Sequence, residues 1–244
     1  MNLVLDVGNT RIKGAVYEGN IQRDTFVCLS NEISEKMEVF FQKHPQIKHL
    51  VVASVANFNE QVLNNVPQSI SIHHISRDDK FPFVNKYASP NTLGIDRMVL
   101  ASGATLRFPN QNRLVIDAGT AITYDYIDDK NQYWGGAISP GIKLRYEALH
   151  QFTAKLPLLE FAEPQHFIGN STFEAIHSGV VNGVIHEIDG FINQYLQGNQ
   201  NFTIILTGGD ADFLAKRLKN TIFANSNFLL DSLNDLFQYQ THND

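Results

Sequence analysis

The chain has 244 residues, of which 43% are hydrophobic and 18% charged, so it is long enough for one large or two small globular domains. Its net charge of −6 and the lack of a basic stripe argue against a nucleic-acid partner, and its single cysteine excludes an intramolecular disulfide framework. The first residues enter an apolar strand without a basic leader or a long apolar stretch. We therefore expect no signal peptide, no membrane partner and a cytoplasmic location.

The first half of the sequence predicts a three-stranded meander followed by alternating helices and strands. Alternating apolar residues indicate the strands, and apolar residues at helical spacing indicate the helices. The predicted elements are strands at Asn2–Asp6, Thr10–Tyr17 and Asn20–Val27, a helix at Asn31–His44, a strand at Ile47–Val55, a short helix near Asn59–Val66, a strand at Ser69–Ile75 and a helix at Gly94–Phe108.

The second half repeats this order of elements. The predicted elements are strands at Arg113–Asp117, Thr120–Ile127 and Gln132–Ile138, helices at Ile142–Phe152 and Thr172–Leu196, a strand at Phe202–Thr207, a helix at Asp210–Leu218, a strand at Thr221–Ala224 and a helix at Phe228–Gln240. Both halves therefore follow an approximate βββαβαβα order, which is typical of an α/β fold. We expect domains at 1–110 and 111–244, and we expect Trp134 in the core.

Two acidic, glycine-containing turns follow the first strand of each half. They are Asp6-Val7-Gly8-Asn9-Thr10 and Asp117-Ala118-Gly119-Thr120. Glycine lets backbone N–H groups approach phosphate oxygens, and a carboxylate at a strand end can hold the metal ion that phosphoryl chemistry requires. A single copy is an ordinary hairpin sequence. Two copies in matching positions predict paired phosphate-binding hairpins that face a common cleft.

Two further segments are compatible with a nucleotide site. Lys13 lies on the strand after the first turn, where it can reach a phosphate, although a solvated strand lysine is the more common case. The sequence Thr207-Gly208-Gly209-Asp210-Ala211 follows an apolar strand and opens a helix. It allows either a nucleotide close to the backbone or an ordinary tight turn capped by Asp210, and the pattern leaves both open. The sequence has no Walker A P-loop, so ATP would be held in another way.

The segment Gly94-Ile95-Asp96-Arg97 opens the last helix of the first half. An acidic and a basic residue at a helix start are usually a solvated pair in which the aspartate complements the helix dipole. The functional alternative makes Asp96 a general base toward a hydroxyl group and Arg97 the partner of an anionic group. Phosphoryl transfer has a loose transition state, so a modest base that orients the alcohol is sufficient.

Taken in order, these motifs resemble the type III pantothenate kinase family, and the resemblance covers nearly the whole chain. It rests on DVGNTRIK at 6–13, Tyr87 and GIDR at 94–97, DAGTA at 117–121, GGAISPG at 135–141, GNSTFEAI at 169–176 and TGGDA at 207–211. The family belongs to the acetate and sugar kinase, Hsp70 and actin superfamily. The resemblance therefore implies two ribonuclease H-like domains with a nucleotide cleft between them, and the phosphorylation of pantothenate by ATP, the first step of coenzyme A biosynthesis.

The resemblance also implies roles for individual residues. The ATP phosphates would be held by Asp6, Val7, Gly8, Asn9, Thr10, Arg11, Ile12 and Lys13, with Asp6 close to Mg²⁺, and ATP would also be contacted by Thr120. Asp96 would accept the proton of the pantothenate hydroxyl, and Asp117 would bind a monovalent cation, K⁺ or NH₄⁺. The residues implied around pantothenate are Tyr87, Gly94, Ile95, Asp96, Arg97 and Thr172. Family members are homodimers, so the resemblance implies a homodimer.

Two alternative functions remain open. The first is a sugar or N-acetylhexosamine kinase of the same superfamily, although those chains are usually longer. The second is a nucleotide-binding regulator without turnover, which the adjacent Asp96 and Arg97 argue against because a pure binding module needs no base. ADP release measured with pantothenate, with hexoses and with no acceptor distinguishes the three functions.

Overall fold

The computed structural model describes residues 1–8, 11–54, 60–198 and 201–242 of the chain. Its contacts divide the chain into two compact units. Unit 1 comprises Met1–Pro109 and Asn227–Asp244, and unit 2 comprises Asn110–Ser226. Each unit contains its own apolar core beside a β-sheet, as expected for a duplicated α/β fold.

The sheet of unit 1 is a mixed sheet of five strands. They are β1 (Asn2–Val7), β2 (Ile12–Glu18), β3 (Ile21–Cys28), β4 (His49–Ser54) and β5 (Ser71–His74). The strands lie in the order β3-β2-β1-β4-β5, with antiparallel pairing in the meander β1 to β3 and parallel pairing of β1, β4 and β5. The inner strands β1 and β4 are buried almost continuously, whereas the edge strand β3 is largely exposed or half-buried.

Unit 1 packs its helices on this sheet through apolar side chains. The elements are α1 (Ile33–Lys43), a 3₁₀ helix (Glu60–Asn65), a two-residue strand β6 (Val84–Asn85), a second 3₁₀ helix (Pro90–Thr92) and α2 (Ile95–Arg107). Helix α1 buries Ile33, Met37 and Phe40 in the core that also contains Leu3 and Leu5 of β1. The spacing of these helix residues is the i, i+4 and i+7 pattern that the sequence showed.

The strands of unit 2 repeat the topology of unit 1. They are β7 (Asn112–Ala118), β8 (Ala121–Ile127), β9 (Gln132–Pro140), β10 (Phe202–Thr207) and β11 (Phe223–Ala224). Within the unit they follow the order β9-β8-β7-β10-β11, which is again third, second, first, fourth and fifth. The meander β7 to β9 is antiparallel, and β10 pairs parallel with β7 and β11. The expected repeat of elements is therefore present in the sheets.

Three helices cover the core of unit 2. They are α3 (Ile142–Gln151), α4 (Thr172–Leu196) and α5 (Ala211–Ala215). Helix α4 begins after Ser171, whose hydroxyl accepts a hydrogen bond from the backbone N–H of Glu174 at 3.3 Å. Its apolar stripe, which includes Val180, Val184 and Ile188, packs on the sheet. Helix α5 is shorter than predicted, because the chain beyond Ala215 continues as turns.

The C-terminal helix α6 (Phe228–His242) belongs to unit 1, although the sequence placed it in a domain at 111–244. Asp231 and Asp235 on α6 pair with Arg107 on α2 at 3.1 and 2.5 Å. The two helices approach closely at Gly103, where a Cβ atom would lie 1.9 Å from the hydroxyl of Ser232. The amphipathic pattern of a helix shows which face is apolar but does not show which core receives it, and this is why the boundary differs.

Trp134 is not in the core, so this prediction is wrong. It lies on β9 with 52% of its surface exposed, and its indole N–H donates to Asp128 at 2.9 Å. The preceding Tyr133 is completely buried, because successive strand residues point to opposite faces of the sheet.

Among the helices of the described residues, none is long and apolar enough to cross a membrane.

Candidate active site

The first acidic turn places a carboxylate and an ammonium group opposite each other. Asp6 on β1 and Lys13 on β2 are direct partners in the antiparallel pair, so their side chains lie on the same face of the sheet. Between them the backbone N–H of Gly8 donates to the carbonyl of Arg11 at 3.2 Å. Lys13 is therefore positioned beside Asp6 and is more than a solvated strand lysine.

The other predicted phosphate contacts in this turn differ in what they can offer. Val7 and Ile12 are 3% and 1% exposed, so only their backbone atoms can contact a ligand. Arg11 is exposed, and its guanidinium can reach an anion in solution. Asn9 and Thr10, which the sequence also assigned to the phosphates, lie outside the described residues.

Asp96 on α2 is close enough to Asp6 for their charges to interact. Burial raises the pKa of Asp6 to about 6, the positive charge of Lys13 opposes that rise, and the negative charge of Asp96 adds to it. The structure thus brings Asp6, Lys13 and Asp96 together in unit 1, although they are far apart in the sequence. Two carboxylates beside one ammonium group form a site that a divalent cation can stabilise.

Gly94 leaves the space that the Asp96 carboxylate occupies. A Cβ atom at residue 94 would lie 2.3 Å from Oδ1 of Asp96. The same oxygen accepts the backbone N–H of Arg97 at 2.9 Å, which fixes the carboxylate at the first turn of α2. A larger residue at position 94 would therefore displace the Asp96 carboxylate from this position.

Arg97 is buried, so it does not form the solvated pair with Asp96 that is common at helix starts. It is only 6% exposed, and its guanidinium lies over the ring of Tyr87 at 5.7 Å from the ring centre. The backbone of Tyr87 is held by Asn85, whose side-chain oxygen accepts the Tyr87 N–H at 2.9 Å. Ile95 is 6% exposed and contributes to the core. The residues that the resemblance placed around pantothenate in unit 1 are thus assembled at one end of α2.

Arg77 is a neighbour of this site that the sequence did not reveal. Its Nε–H donates to the carbonyl of Leu93 at 3.0 Å, directly before Gly94. Leu93 is 1% exposed and anchors the entry to α2 from inside the core. Because Arg77 lies in a loop without a recognisable motif, no sequence signal linked it to Asp96.

The second acidic turn in unit 2 connects β7 to β8. The N–H of Gly119 donates to the carbonyl of Ala121 at 3.0 Å, and Thr120 is exposed at the tip. Asp117 lies at the end of β7, partly buried, in register with Thr207 of β10. The side chain of Thr120 is therefore accessible to a ligand. The backbone of Asp117 is held in place by the pairing of β7 with β10.

The glycine turn after β10 rests directly on this second turn. The N–H of Asp210 donates to the carbonyl of Ala118 at 3.0 Å. Gly208 has a φ of +97°, and a Cβ atom there would lie 2.4 Å from the Ala118 carbonyl oxygen and 2.5 Å from Oδ1 of Asp117. Burial raises the pKa of Asp210. Gly208 is therefore needed for the close contact, and Asp210 does not use its side chain to cap α5.

Thr172 is the first residue of α4 and is exposed. Its hydroxyl lies at the amino end of a 25-residue helix, where the helix dipole favours a negatively charged group.

Two surface concavities of about 770 and 640 Å³ lie in unit 1, and neither is lined by a motif residue. Neither of these two concavities therefore coincides with the candidate site.

The family model described as type III pantothenate kinase matches residues 2–194. The chain belongs to the type III pantothenate kinase family. A type III pantothenate kinase from Flavobacterium johnsoniae is 59% identical over 244 residues, which is 100% of both chains. One from Flavobacterium psychrophilum is 55% identical over 98% of this chain and 100% of its own length. One from Bacteroides fragilis is 37% identical over 98% of each.

Solved structures of more distant proteins share the fold. A Baf family protein from Campylobacter jejuni, described as a transcriptional activator, has a TM-score of 0.66 at 20% identity and covers 98% of this chain and 99% of its own. The activator of 2-hydroxyisocaproyl-CoA dehydratase from Clostridium difficile, solved with bound ADPNP, has a TM-score of 0.57 at 12% identity, with 99% and 96% covered. At these identities the likeness concerns the fold alone. It confirms the predicted α/β fold of two ribonuclease H-like domains.

Membership of this kinase family implies the use of ATP, typically with a divalent metal ion. Among the described residues, no group of three or more His, Cys, Asp or Glu side chains is arranged to hold a metal ion. A kinase does not need such a group, because Mg²⁺ is commonly bound by one or two carboxylates together with the substrate phosphates and water. The Asp6 carboxylate, whose pKa is raised to about 6 in the absence of a cation, fits that pattern.

Proposed function

We propose that the protein transfers the terminal phosphoryl group of ATP to the primary hydroxyl of pantothenate, which gives 4′-phosphopantothenate and ADP. The full-length similarity to type III pantothenate kinases supports this substrate. The observation within the molecule that carries the proposal is the position of Asp96 beside Asp6 and Lys13. A binding module without turnover would have no use for a carboxylate held in this way.

In the proposed reaction Asp96 orients the pantothenate hydroxyl and accepts its proton while the new phosphorus–oxygen bond forms. Lys13 stabilises the negative charge of the phosphates, and backbone N–H groups of the turn at 6–13 hold them in place. Arg97 carries its charge within a buried site beside Tyr87, where it can pair with the pantothenate carboxylate. Gly94 and Ile95 shape the same end of α2, and Thr172 is the proposed contact from α4.

Two cations complete the proposal. Asp6 would hold Mg²⁺, which neutralises charge on the phosphates, and Asp117 would hold a monovalent cation, K⁺ or NH₄⁺. The Asp117 carboxylate and the Ala118 carbonyl both face Gly208, so they offer two oxygen atoms to a weakly hydrated ion. Thr120, exposed at the tip of the same turn, would contact ATP.

We also propose that the active form is a homodimer. Exposed apolar side chains are concentrated in and around the irregular segment between α3 and α4. Phe152, Phe167, Ile168 and Phe173 are 80%, 72%, 81% and 57% exposed. An exposed apolar patch is typical of an interaction site, and the grouping of these residues in one stretch of the sequence supports such a patch. Light scattering should give twice the mass of one chain, and Phe167→Ser with Ile168→Ser should shift the protein toward the monomer.

A coupled ADP-release assay tests the proposed reaction. With ATP, Mg²⁺ and K⁺, the protein should release ADP with pantothenate, and mass spectrometry should detect phosphopantothenate. Glucose, N-acetylmannosamine and a reaction without acceptor are the controls for the sugar-kinase and regulator alternatives. Turnover of a sugar without turnover of pantothenate would overturn the proposal.

We also propose a cytoplasmic location, since ATP is available there and the free Cys28 suits a reducing compartment.

A further inference from the structure

Glu187 on α4 accepts hydrogen bonds from three different elements of unit 2. Its Oε1 accepts the hydroxyl of Tyr124 on β8 at 3.0 Å and the hydroxyl of Ser139 on β9 at 2.5 Å. Its Oε2 accepts Nη2 of Arg145 on α3 at 2.5 Å. A carboxylate that joins two strands and a helix in this way has few alternative positions, because each bond restricts its rotation.

Arg145 extends this connection toward the second acidic turn. Its Nε–H donates to the carbonyl of Pro140 at 2.8 Å. The N–H of the next residue, Gly141, donates to the carbonyl of Thr120 at 3.0 Å. The contact is tight, since a Cβ atom at Gly141 would lie 2.1 Å from the carbonyl oxygen of Gly119. A continuous path of hydrogen bonds therefore runs from Glu187 through Arg145 and the Pro140-Gly141 backbone to Thr120.

A second ion pair on the same helix shows that this one is not an ordinary surface contact. Lys143 and Glu147 on α3 are 3.8 Å apart, and their side chains are 86% and 46% exposed. Arg145 and Glu187 are 21% and 24% exposed and take part in four hydrogen bonds, one with each other and three with their neighbours. An exposed ion pair contributes little to stability, whereas a partly buried pair with several hydrogen bonds fixes the geometry of its neighbours.

We propose that Glu187 and Arg145 are positioning residues that hold the Gly119-Thr120 turn in the conformation that contacts ATP. The inference rests on the proposed ATP contact of Thr120. Burial opposes ionisation of Glu187, but the hydrogen bonds from Arg145 and Ser139 outweigh it and lower its pKa, so the carboxylate is charged at neutral pH. Neither residue touches the nucleotide in this proposal. They act through the backbone of residues 140 and 141.

The first test compares Arg145→Ala with the matched control Lys143→Ala on the same helix. ATP affinity is measured by calorimetry without an acceptor, and KM is then measured for ATP and for pantothenate. A displaced turn should weaken ATP binding about tenfold or more, because small misplacements of binding groups are costly. The KM for pantothenate should change by less than about twofold, and Lys143→Ala should leave all three quantities unchanged. Equal losses in both variants, or a loss confined to pantothenate, would overturn the inference.

The second test is a double-mutant cycle with Thr120→Ala. If Arg145 acts through Thr120, Arg145→Ala should cost much less ATP affinity in the Thr120→Ala background than in the wild type. Additive losses would show that Arg145 acts elsewhere and would overturn the inference. Glu187→Gln keeps the side-chain shape and should give a smaller loss in the same direction, and it carries the test if Arg145→Ala does not fold. Because ATP binding is measured without an acceptor, failure to phosphorylate pantothenate would leave this result intact.

Discussion

The two acidic turns occupy the same place in the duplicated sheets but differ in length and in charge. Asp6 faces Lys13, seven positions further along the chain, whereas Asp117 faces Thr123, six positions further. The turn of unit 1 therefore has one more residue and an ammonium group opposite its carboxylate. In the turn of unit 2, Thr123 has a hydroxyl at the place of the Lys13 ammonium group. The backbone at Gly141 and Gly208 packs closely against this turn.

In the proposed function, one backbone arrangement serves two kinds of chemistry. In unit 1 the charges of Lys13 and Asp96 both act on the Asp6 carboxylate, and this density of charge would suit the proposed Mg²⁺ and phosphates. In unit 2 the carboxylate of Asp117 has a backbone carbonyl beside it, which would suit the proposed monovalent cation. In this proposal the duplicated fold supplies the position, and the side chains that differ between the two turns supply the function.

Asp96→Asn is the strongest test of the chemistry assigned to unit 1. The amide keeps an oxygen that can accept the Arg97 N–H, so the start of α2 should fold normally. Turnover should fall by about 10²–10⁴-fold, the usual contribution of a general base. ATP affinity should change little, and this is the readout that separates lost chemistry from lost binding. A kcat close to that of the wild type would remove Asp96 from its proposed role.

Asp117→Ala is the corresponding test in unit 2. The variant loses the only carboxylate at that turn and should no longer respond to K⁺, while circular dichroism should show an unchanged fold. Activity is measured in K⁺, in NH₄⁺ and in Na⁺ at constant ionic strength. The wild type should be stimulated by K⁺ or NH₄⁺ but not by Na⁺. A wild type indifferent to the exchange of K⁺ for Na⁺ would contradict the assigned cation site.

Gly208→Ala tests whether the glycine turn supports Asp117. Its φ of +97° is unfavourable for alanine, and the added methyl group would meet the Asp117 carboxylate. We expect the K⁺ concentration for half-maximal activity to rise about tenfold, which corresponds to about 1.4 kcal/mol of lost cation affinity. Gly209→Ala is the matched control, since a Cβ there meets no atom within 4 Å. A similar rise in both variants would exclude a specific role for Gly208.

Local patterns in the sequence predicted most of the fold because sheet and helix periodicity are local properties. The duplicated meanders and the long helix α4 were predicted because alternation and i, i+4 spacing extend over many residues. Trp134 was wrongly expected in the core because tryptophan is a large apolar residue. Side chains alternate along β9, and since Tyr133 faces inward, Trp134 faces outward. Helix α6 belongs to unit 1 because it packs on α2 and β1. The apolar pattern of α6 alone does not show which elements it packs on.

The candidate site was predictable to the extent that its residues lie in glycine-containing turns. Asp6, Asp96 and Asp117 each occur in such a motif, and their roles remain predictions until they are tested. Arg77 and Glu187 were missed for a physical reason. Each is hydrogen-bonded to a backbone carbonyl or to a side chain that is distant in the sequence, so neither forms a local pattern.

The variants Tyr17→Phe and Tyr126→Phe compare how much one hydrogen bond in each unit contributes to the free energy of unfolding. The Tyr17 hydroxyl donates to the Asp231 carboxylate on α6 at 2.5 Å, whereas Tyr126 in unit 2 donates to the neutral amide of Asn112 at 2.8 Å. Hydrogen bonds to charged groups contribute about 1.5–3 kcal/mol and neutral ones about 0.5–1.5 kcal/mol. Chemical denaturation should therefore show a larger loss for Tyr17→Phe than for Tyr126→Phe. The reverse order would show that the hydrogen bond to the Asp231 carboxylate contributes less to stability than the neutral one in unit 2.

The smallest expected effect is a pH dependence from a histidine pair in unit 1. His49 and His73 lie on β4 and β5 with ring nitrogens 3.2 Å apart, and both rings pack on Phe237 of α6. Burial lowers the pKa of each histidine below its usual 6.5, and the charges of His73, the amino terminus and Lys48 lower that of His49 further. A lowered pKa in the folded state means that the pair stabilises the fold above about pH 6.5. This contribution is lost as the pH falls below 6.5, because the unfolded chain takes up the protons first.

Asp6 produces a slope of the opposite sign in the same range, so the histidine effect must be measured as a difference. Its pKa is raised to about 6, and the folded chain therefore binds the extra proton and gains stability as the pH falls through that value. Asp24, with a pKa lowered to about 2 by hydrogen bonds from His44 and Lys43, titrates well below this range. The melting temperature of the wild type minus that of the variant His49→Gln with His73→Gln, measured without Mg²⁺, should decrease from pH 7.5 to 5.5. A difference that stays constant would show that the pair is equally protonated in both states and does not respond to pH.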